Sequence, residues 1–313
     1  MKIGYIVLCH KDPTLVARIV NKVTIGTNNI AIIHVDQKYD DKPFKQLLND
    51  NKQAYFLEER VKVYWGGFSS IEATINSLKK GIFFGCDRFV LLQGSDYPIF
   101  TNQYINTFFE KQSGIEFLRG YNITKSKKTY NYMKCHGYHI YDGINRNEKN
   151  IKTLLVRVLS FFNKFGIKYR KGYFESNNLG RYDIYWGWGH FALTIQCVQY
   201  IVEFYEKNKD FNKYFKHIFP ADETYIHTII FNSTFASNTK DHGSVNDLQH
   251  QTVQSMLNLT YFEYPKHVKI ISKIEDYSKL RDSGCLFFRK ISGENTELLD
   301  FIDSLDGYTK LEF

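Results

Sequence analysis

Two apolar runs near the start of the chain have the pattern of buried β-strands. Residues 2–9 and 29–36 are short, continuous and rich in β-branched side chains, which predicts strands covered on both faces. Between them, residues 12–23 repeat apolar positions with helical spacing, with Asp12 as the N-cap and Pro13 in the first turn. A strand, a helix and a strand in this order predict a βαβ unit with parallel strands.

The same alternation continues to about residue 120. Residues 61–65 are expected to form a strand, residues 69–84 a helix and residues 88–94 another strand. The sequence thus predicts an α/β fold with a Rossmann-like, mostly parallel sheet flanked by helices. Residues 121–180 lack clean periodicity and are expected to be irregular, except for a helix over residues 151–166. The later pattern predicts a strand within 184–194, helices over 194–206 and 222–231, a turn and a strand within 280–291, and a helix over 295–305.

Composition and charge narrow the class of protein only slightly. Hydrophobic residues make up 43% of the chain and charged residues 24%, which is ordinary for a soluble globular protein. The formal net charge of +8 favours an anionic partner, but Lys and Arg are scattered without a like-charged tail, so nucleic-acid binding is not predicted. The five cysteines form no CxxC pair, which argues against a disulfide framework. Since the sequence shows no secretory signal pattern and no apolar stretch of about 18 residues, we expect a cytoplasmic protein.

Two neighbouring carboxylates, Asp222 and Glu223, stand between Pro220 and an apolar run. Acidic residues in the first turn of a helix are stabilised by the helix dipole, so both can be structural. A glutamate that stays ionised at a helix start can also act as a general base in a cleft. The local pattern leaves both interpretations open.

Polar and aromatic side chains follow the predicted strands, where open α/β sheets bind their ligands. His34, Asp36 and Lys38 follow the second strand, and Asp36 can either contact a ribose or base or cap a loop. Trp65 and Asp96 lie in glycine-containing turns and can serve either a site or the fold. No GxGxxG follows the first strand and no P-loop is present, which weakens an interpretation as an NAD- or FAD-binding protein.

Sequence patterns for metal binding are weak. Cys135, His136 and His139 are close together, but no second ligand pair accompanies them, so a zinc site is not predicted. The chain contains no Asp-x-Asp triplet, the kind of carboxylate pair that holds a nucleotide diphosphate through Mg²⁺ or Mn²⁺. A bound diphosphate would therefore need protein cations. Arg289 and Lys290 follow an apolar strand and are candidates, although the pair can also be a solvated basic strand end.

The chain contains seven segments that recur in this order in one known family: YIVLCHK, IIHVDQK, VYWGGFSSIEA, LLQGSDYPIFTN, GWGHFALT, FPADETYIHTIIFNS and LFFRKI. Together they resemble glycosyltransferase family 14, which comprises the core-2/I-branching β-1,6-N-acetylglucosaminyltransferases and the peptide O-xylosyltransferases. The resemblance runs from about residue 3 to residue 291 and leaves residues 121–180 unmatched.

This resemblance implies a GT-A-like fold and an inverting, metal-independent transfer of GlcNAc or xylose from a UDP-sugar to a hydroxyl group of a glycan. It implies no cofactor and no metal. Glu223 corresponds to the general base of the family, which leaves Asp222 the role at the helix start, and Arg289 and Lys290 correspond to the pair that binds the diphosphate. The implied nucleotide contacts are Val7, His10, Asp36, Lys38 and Trp65. Lys266 is a further implied contact, but its alignment with the family requires a gap. The candidate substrate-binding residues are Ser95, Asp96, Trp186 and Trp188.

The resemblance also implies one glycosyltransferase domain, with residues 1–120 as a nucleotide-binding half and residues 121–313 as an acceptor and catalytic half. Animal members carry a Golgi anchor and paired cysteines that this sequence lacks, so it resembles a bacterial-type, cytoplasmic member. Residues 151–171 interleave Lys and Arg with Leu and Phe. Such a segment can lie peripherally on the inner face of an anionic membrane, which would suit a lipid-linked glycan acceptor, or pack on the sheet with its basic face in water.

Two other functions stay open on the sequence alone. Trp65, Trp186 and Trp188, with the many tyrosines, would also suit a carbohydrate-binding protein without catalysis. A different nucleotide-dependent enzyme, such as an NAD-dependent oxidoreductase, would need a glycine fingerprint that the sequence does not show. A thermal shift with UDP or UDP-sugars, and not with NAD, would distinguish a UDP-sugar transferase from both.

Overall fold

A five-stranded sheet runs through the centre of the protein. Its strands, in spatial order, are β10 (Ala192–Thr194), β4 (Arg88–Gln93), β1 (Ile3–Cys9), β2 (Ile30–Val35) and β3 (Ala54–Phe56). Strand β10 is antiparallel to β4, and the other neighbours pair in parallel. The computed structural model describes residues 1–126, 136–144, 151–164, 170–245, 257–264, 267–294 and 296–308.

Helices and short strands surround this sheet. The helices are α1 (Pro13–Thr24), α2 (Lys42–Leu47), α3 (Ser69–Phe83), α4 (Asn102–Lys111), α5 (Ile151–Lys164), α6 (Ile195–Lys207), α7 (Lys209–Phe215), α8 (Tyr225–Phe231), α9 (Asp276–Arg281) and α10 (Glu297–Tyr308), and a 3₁₀ turn spans Thr234–Asn238. A second sheet has the order β11 (Thr260–Tyr261), β12 (Phe287–Arg289) and β5 (Asp96–Pro98). Two short pairs join β6 (Tyr121–Asn122) to β9 (Tyr185–Trp186) and β7 (Tyr173–Ser176) to β8 (Gly180–Asp183).

The strands of the central sheet are buried on both faces. Along β1, Tyr5 and Val7 belong to one hydrophobic cluster and Ile6 belongs to the other. Helices α1, α4, α9 and α10 contribute to the first cluster, while α3, α6, α7 and α8 contribute to the second. Burial on both faces explains why these strands are continuous apolar runs. The predicted α/β fold, with a mostly parallel sheet flanked by helices, is confirmed.

The strand predicted over residues 61–65 is wrong. The backbone N–H of Val61 donates to His34 Nε2 at 2.9 Å, and that of Val63 donates to Asp36 Oδ1 at 3.3 Å. Side chains at the end of β2 therefore accept the hydrogen bonds that a neighbouring strand would have accepted. The edge strand of the sheet is instead β3, which the apolar pattern did not predict.

Other elements differ from the prediction mainly at their ends. The strand predicted within 184–194 is two short strands, β9 and β10, separated by a glycine-containing turn. Helices α2, α4, α7 and α9 were not predicted, and residues 121–180 contain β6 and β7, of which β7 pairs with β8. Helix α5 agrees with the prediction as far as Lys164, and the remaining residues 165–166 lie outside the described residues.

The expectations for the cysteines and for membrane-spanning segments can be compared with the described part of the chain. Cys9, Cys86, Cys197 and Cys285 are buried and form no disulfide, while Cys135 lies outside the described residues. None of the described helices combines the length and the apolar character that crossing a bilayer requires.

Candidate active site

A cavity of about 580 Å³ opens at the carboxyl ends of β1, β2 and β4. The chain leaves β1 towards β2 and β3 on one side and returns to β4 on the other, so the strand order reverses between β1 and β4. Open α/β sheets bind ligands at such a switch point. Among the residues proposed from sequence, the cavity is lined by His10, Asp36, Lys38, Trp65, Ser95, Arg289 and Lys290.

Asp36 and Lys38 fix one side of the cavity. Asp36 Oδ1 accepts a hydrogen bond from the backbone N–H of Lys38 at 3.0 Å, in addition to the one from Val63. Lys38 Nζ lies 3.4 Å from Asp36 Oδ2 and donates to the carbonyl oxygen of Val63 at 2.5 Å. The side chain of Asp36 is buried, so the pair holds residues 61–65 against the sheet while Lys38 faces the cavity.

The turn that carries Trp65 depends on two glycines. Gly66 has a φ of +73°, and a Cβ there would lie 2.2 Å from the ring of Phe219. A Cβ on Gly67 would lie 2.1 Å from a carboxylate oxygen of Asp142. Larger residues would therefore collide at both positions. The turn leaves Trp65 67% exposed at the edge of the cavity.

Asp142 holds the helix that follows this turn. Its carboxylate accepts hydrogen bonds from the backbone N–H groups of Phe68 and Ser69, at 2.9 and 3.2 Å, and from Ser69 Oγ at 2.6 Å. A carboxylate satisfies unpaired N–H groups at a helix start and is favoured by the helix dipole. This contact ties residues 136–144 to the start of α3, and the sequence-based prediction does not include it.

The buried Asp96 and His190, together with the partly exposed Arg289, form what we call the charged cluster. Strand β12 is antiparallel to β5, which places Arg289 opposite Asp96. Arg289 Nε lies 3.6 Å from Asp96 Oδ1, and His190 Nε2 lies 3.0 Å from Asp96 Oδ2. Arg289 Nη1 is also 3.1 Å from His190 Nε2. Burial raises the pKa of the Asp96 carboxyl, but Arg289 and His190 outweigh burial and hold that pKa below its ordinary value.

The charged cluster shows which groups Asp96 contacts in the structure. Asp96 is predicted to bind substrate, but it is 0% exposed and lies behind the cavity wall. Its carboxylate instead holds the guanidinium of Arg289, which does line the cavity. Val7 is likewise fully buried in β1, between β2 and β4, so a direct nucleotide contact from its side chain does not fit the structure.

Basic side chains dominate the rest of the cavity. Lys11, which the prediction does not include, lines it together with Lys38 and Lys290. The pKa of His10 is lowered, first by burial and then by Lys11, with Lys38 and Lys290 adding to the effect against Asp36. Four cations, from Lys and Arg, face two carboxylates in the cavity wall, and this net positive charge favours an anionic ligand.

The two neighbouring carboxylates face different surroundings. Helix α8 begins at Tyr225 with Thr224 as its N-cap, so Asp222 lies two residues before the cap and its predicted role at the helix start is wrong. Asp222 instead lines the cavity, whereas Glu223 lies beside the cavity and not in its wall. Glu223 Oε2 accepts a hydrogen bond from Trp186 Nε1 at 2.6 Å.

Four rings form what we call the aromatic cluster: that of Trp186, which donates to Glu223, and those of Trp188, Phe262 and Tyr264. The ring of Trp188 lies 5.1 Å from that of Trp186 and 4.9 Å from that of Phe262, both in edge-to-face packing. Its distance to Tyr264, which is 46% exposed, is 6.4 Å. Trp186 and Phe262 are buried, so Trp188 and Tyr264 are the rings with partly exposed faces, which suit the apolar face of a sugar ring. Neither tryptophan lines the cavity itself.

Some candidates are not brought to this site. Lys266 and Cys135 lie outside the described residues. His136 Nδ1 lies 2.9 Å from the carbonyl oxygen of Arg170, and the backbone N–H of His139 donates to the carbonyl oxygen of His217. Within the described ranges, no group of three or more His, Cys, Asp or Glu side chains could hold a metal ion.

Comparisons with known proteins agree with the resemblance seen in the sequence. A family model described as Core-2/I-Branching enzyme matches residues 3–255. A probable β-1,3-galactosyl-O-glycosyl-glycoprotein β-1,6-N-acetylglucosaminyltransferase 7 from Sus scrofa is 31% identical over 108 residues, which are 33% of this chain and 25% of that protein. Its Homo sapiens counterpart is 28% identical over 108 residues, with the same coverage. The match therefore spans about a quarter of the length of these relatives.

Solved structures add little. A cytidylyltransferase from Leptospira borgpetersenii is 11% identical with a TM-score of 0.36, and the similarity covers 99% of this chain and 96% of that one. A mannose-1-phosphate geranyltransferase from Thermus thermophilus is 10% identical with a TM-score of 0.30, covering 69% and 63% of the two chains. Both TM-scores are too low to support an argument from either structure.

Proposed function

The chain belongs to the Core-2/I-branching enzyme family, and we propose that it is an inverting glycosyltransferase that moves a sugar from a UDP-sugar to a hydroxyl group of a glycan. GlcNAc and xylose are the sugars we propose first, and the named relatives are N-acetylglucosaminyltransferases. One observation carries the proposal. A basic cavity at the switch point of the sheet has Arg289 and Lys290 in its wall and the carboxylates of residues 222–223 at and beside it.

The basic side chains are proposed to bind the diphosphate in place of a divalent metal. Opposite charges about 4 Å apart are worth about 4 kcal/mol at an effective dielectric constant of 20. Arg289 is already held by the buried Asp96, so little reorganisation is needed when the leaving diphosphate gains charge. Lys38 lies 3.4 Å from the buried Asp36, and Lys290 and Lys11 line the same space.

Glu223 is proposed to act as the general base. The acceptor oxygen forms a bond to the anomeric carbon while the bond from that carbon to the diphosphate oxygen breaks. The proton of the acceptor hydroxyl passes to Glu223, and UDP leaves with the electron pair from the opposite face. A glutamate with an ordinary pKa of about 4.3 is ionised at neutral pH and can accept this proton. The indole N–H of Trp186 orients the carboxylate through one oxygen, Oε2.

The remaining site residues are assigned to the two substrates. We propose that the nucleotide contacts His10, Asp36, Lys38 and Trp65, and that Ser95 contacts the donor sugar. The aromatic cluster beside Glu223 is proposed to hold the acceptor glycan, because aromatic rings recognise the apolar face of a sugar without requiring charge. No cofactor takes part in this scheme.

The decisive experiment compares two matched variants, Glu223→Gln and Asp222→Asn. Each replaces a carboxylate by its uncharged isostere, and the glutamine can still accept the hydrogen bond from Trp186. Since a general base contributes about 10²- to 10⁴-fold, Glu223→Gln should lower transfer by that factor. Release of UDP from UDP-GlcNAc and UDP-xylose in the presence of glycan acceptors measures transfer, and thermal shift with UDP measures binding.

Three outcomes separate the possibilities. Loss of transfer in Glu223→Gln, with UDP binding kept and Asp222→Asn much less affected, would support the assignment. The reverse pattern would move the base to Asp222, which lines the cavity. Normal turnover in both variants, or a wild-type protein that binds glycans but shows no thermal shift with UDP, would contradict the proposed reaction.

A further inference from the structure

Helix α5 carries an apolar stripe that faces solvent. Its large apolar side chains recur every three or four residues, which is the spacing of one helix face. The exposed fraction is 86% for Ile151, 61% for Leu154 and 56% for Phe161. Thr153, on the other side of the helix, is buried. The exposed stripe consists of Ile151, Leu154, Leu155, Val158, Phe161 and Phe162.

Neither hydrophobic cluster of the protein covers this stripe. Among the residues that the structure describes, no side chain of α5 belongs to either cluster. A helix at the surface of a globular domain normally turns its apolar stripe inward and its polar face to water. Arg157 is exposed, as expected for a basic face in water, but the six apolar side chains of the stripe are also 41–86% exposed, so this stripe is not the face that packs on the sheet.

The charge of the same segment is entirely positive. Residues 151–171 contain six Lys and Arg residues and no Asp or Glu. The described side chains of Arg157 and Lys171 are exposed. The helix has 14 residues, so the stripe is about 21 Å long. An apolar helix face flanked by cations is the pattern of helices that lie in the plane of a membrane interface.

We propose that α5 docks the protein on the surface of an anionic lipid bilayer, with the apolar stripe inserted at the boundary of the headgroups and acyl chains. Lys and Arg would contact the lipid phosphates, which attract polybasic segments close to a membrane. The charge favours lipid over a second copy of this chain. Two α5 helices packed about a twofold axis would bring two sets of cations together, with no carboxylate in the segment to neutralise them. This inference goes beyond the proposed transfer and does not depend on it.

Vesicle binding by the full chain tests the proposal. The vesicles contain equal parts of phosphatidylglycerol and phosphatidylcholine, and phosphatidylcholine alone serves for comparison. The double variant Leu154→Glu with Phe161→Glu places two carboxylates in the stripe. The matched control, Leu47→Glu with Phe83→Glu, changes the same residue types at exposed positions at the ends of α2 and α3. Circular dichroism and the melting temperature verify folding.

We expect the wild type and the control to bind the anionic vesicles and the α5 variant to bind at least about tenfold more weakly. Added salt should weaken binding, because it screens the attraction to the phosphates. Equal binding by the α5 variant, or no binding by the wild type to anionic vesicles, would overturn the proposal. Loss of a dimer in the α5 variant during gel filtration, without vesicle binding by the wild type, would show that a second copy covers the stripe.

Discussion

The charged cluster and the aromatic cluster lie at two sides of one site and are held in place by different forces. In the charged cluster, Asp96 is fully buried and is compensated by Arg289 and His190. In the aromatic cluster, ring packing positions Trp186 and Trp188, and the indole N–H of Trp186 donates to the carboxylate of Glu223. A buried ion pair is costly to break, whereas ring packing tolerates conservative changes.

This difference fits two different tasks. A fixed guanidinium at the cavity wall is organised in advance for an anion whose charge grows during the reaction. Aromatic rings beside one oriented carboxylate suit an uncharged polyol that must lose a proton. Substitutions of the cavity cations Arg289 and Lys290 should therefore weaken nucleotide binding and lower the rate of transfer together. Changes in the aromatic cluster should affect the rate and the acceptor while UDP binding is kept.

Among variants outside residues 222–223, the largest effect is expected from Lys290→Met, which removes a cavity cation without unpairing the buried Asp96. Loss of one preorganised group at a developing charge costs about 10²-fold in rate, and UDP should bind more weakly as well. Initial rates with a UDP-sugar and calorimetry with UDP measure the two effects. The matched control is Lys269→Met, since Lys269 pairs with Glu263 at the surface and does not line the cavity.

Removal of divalent metal ions with a chelator tests the same prediction in a second way. If protein cations replace a metal, excess EDTA leaves the wild-type rate unchanged, and Mn²⁺ does not restore Lys290→Met. An absolute requirement for Mn²⁺ in the wild type, or full activity of Lys290→Met, would show that the cavity cations do not bind the diphosphate in place of a metal.

Local patterns were sufficient to predict the three central strands of the sheet, but not the edge strand β3. The strands at residues 3–9, 30–35 and 88–93 are continuous apolar runs because both faces are covered, and their ends are correct within two residues. The motif glycines Gly66 and Gly67 mark a turn whose cause is tertiary, since Phe219 and Asp142 come from distant segments. Sequence therefore located the turn but not the contacts that require it.

The charged cluster could not be predicted because its members are far apart in sequence. His190 is 94 residues from Asp96 and 99 residues from Arg289. It lies inside the recognised segment GWGHFALT, but nothing local marks it as a partner of a carboxylate in another strand. The sequence also does not show that α5 turns its apolar stripe outward, because periodicity identifies a helix face and not what covers it.

A second prediction concerns the stability of the protein in acid, which should depend on His34. His34 is buried at the end of β2, and burial lowers its pKa to about 4, against about 6.5 in an unfolded chain. Below pH 6.5 the unfolded chain binds a proton that folded His34 does not. The free energy of unfolding therefore falls as the pH drops from 6.5 towards 4, and this group contributes about 2 kcal/mol of that loss at pH 5.

Urea unfolding at pH 7 and pH 5 measures this loss. His34→Gln keeps an acceptor for the N–H of Val61 and should reduce the loss by about 2 kcal/mol, whereas the exposed His267→Gln should not. His227, next to Gly187, has a pKa that burial lowers to about 3. It therefore adds its own loss of unfolding free energy in acid, which His34→Gln does not remove. An unchanged pH dependence in His34→Gln would mean that this imidazole is protonated in the folded protein.

The smallest effect is expected from Trp186→Phe, which keeps a ring against Tyr121 and Trp188 but removes the N–H that donates to Glu223. A hydrogen bond to a charged group is worth about 1.5 kcal/mol or more, so kcat should fall about tenfold while UDP binding is unchanged. Trp188→Phe is the matched comparison, because it alters the aromatic surface and leaves the bond from Trp186 to Glu223 in place. It should raise the KM for the acceptor more than it lowers kcat. If instead both variants weakened UDP binding, the aromatic rings would contribute to binding the same ligand as the cations. The two clusters would then not bind the nucleotide and the acceptor separately.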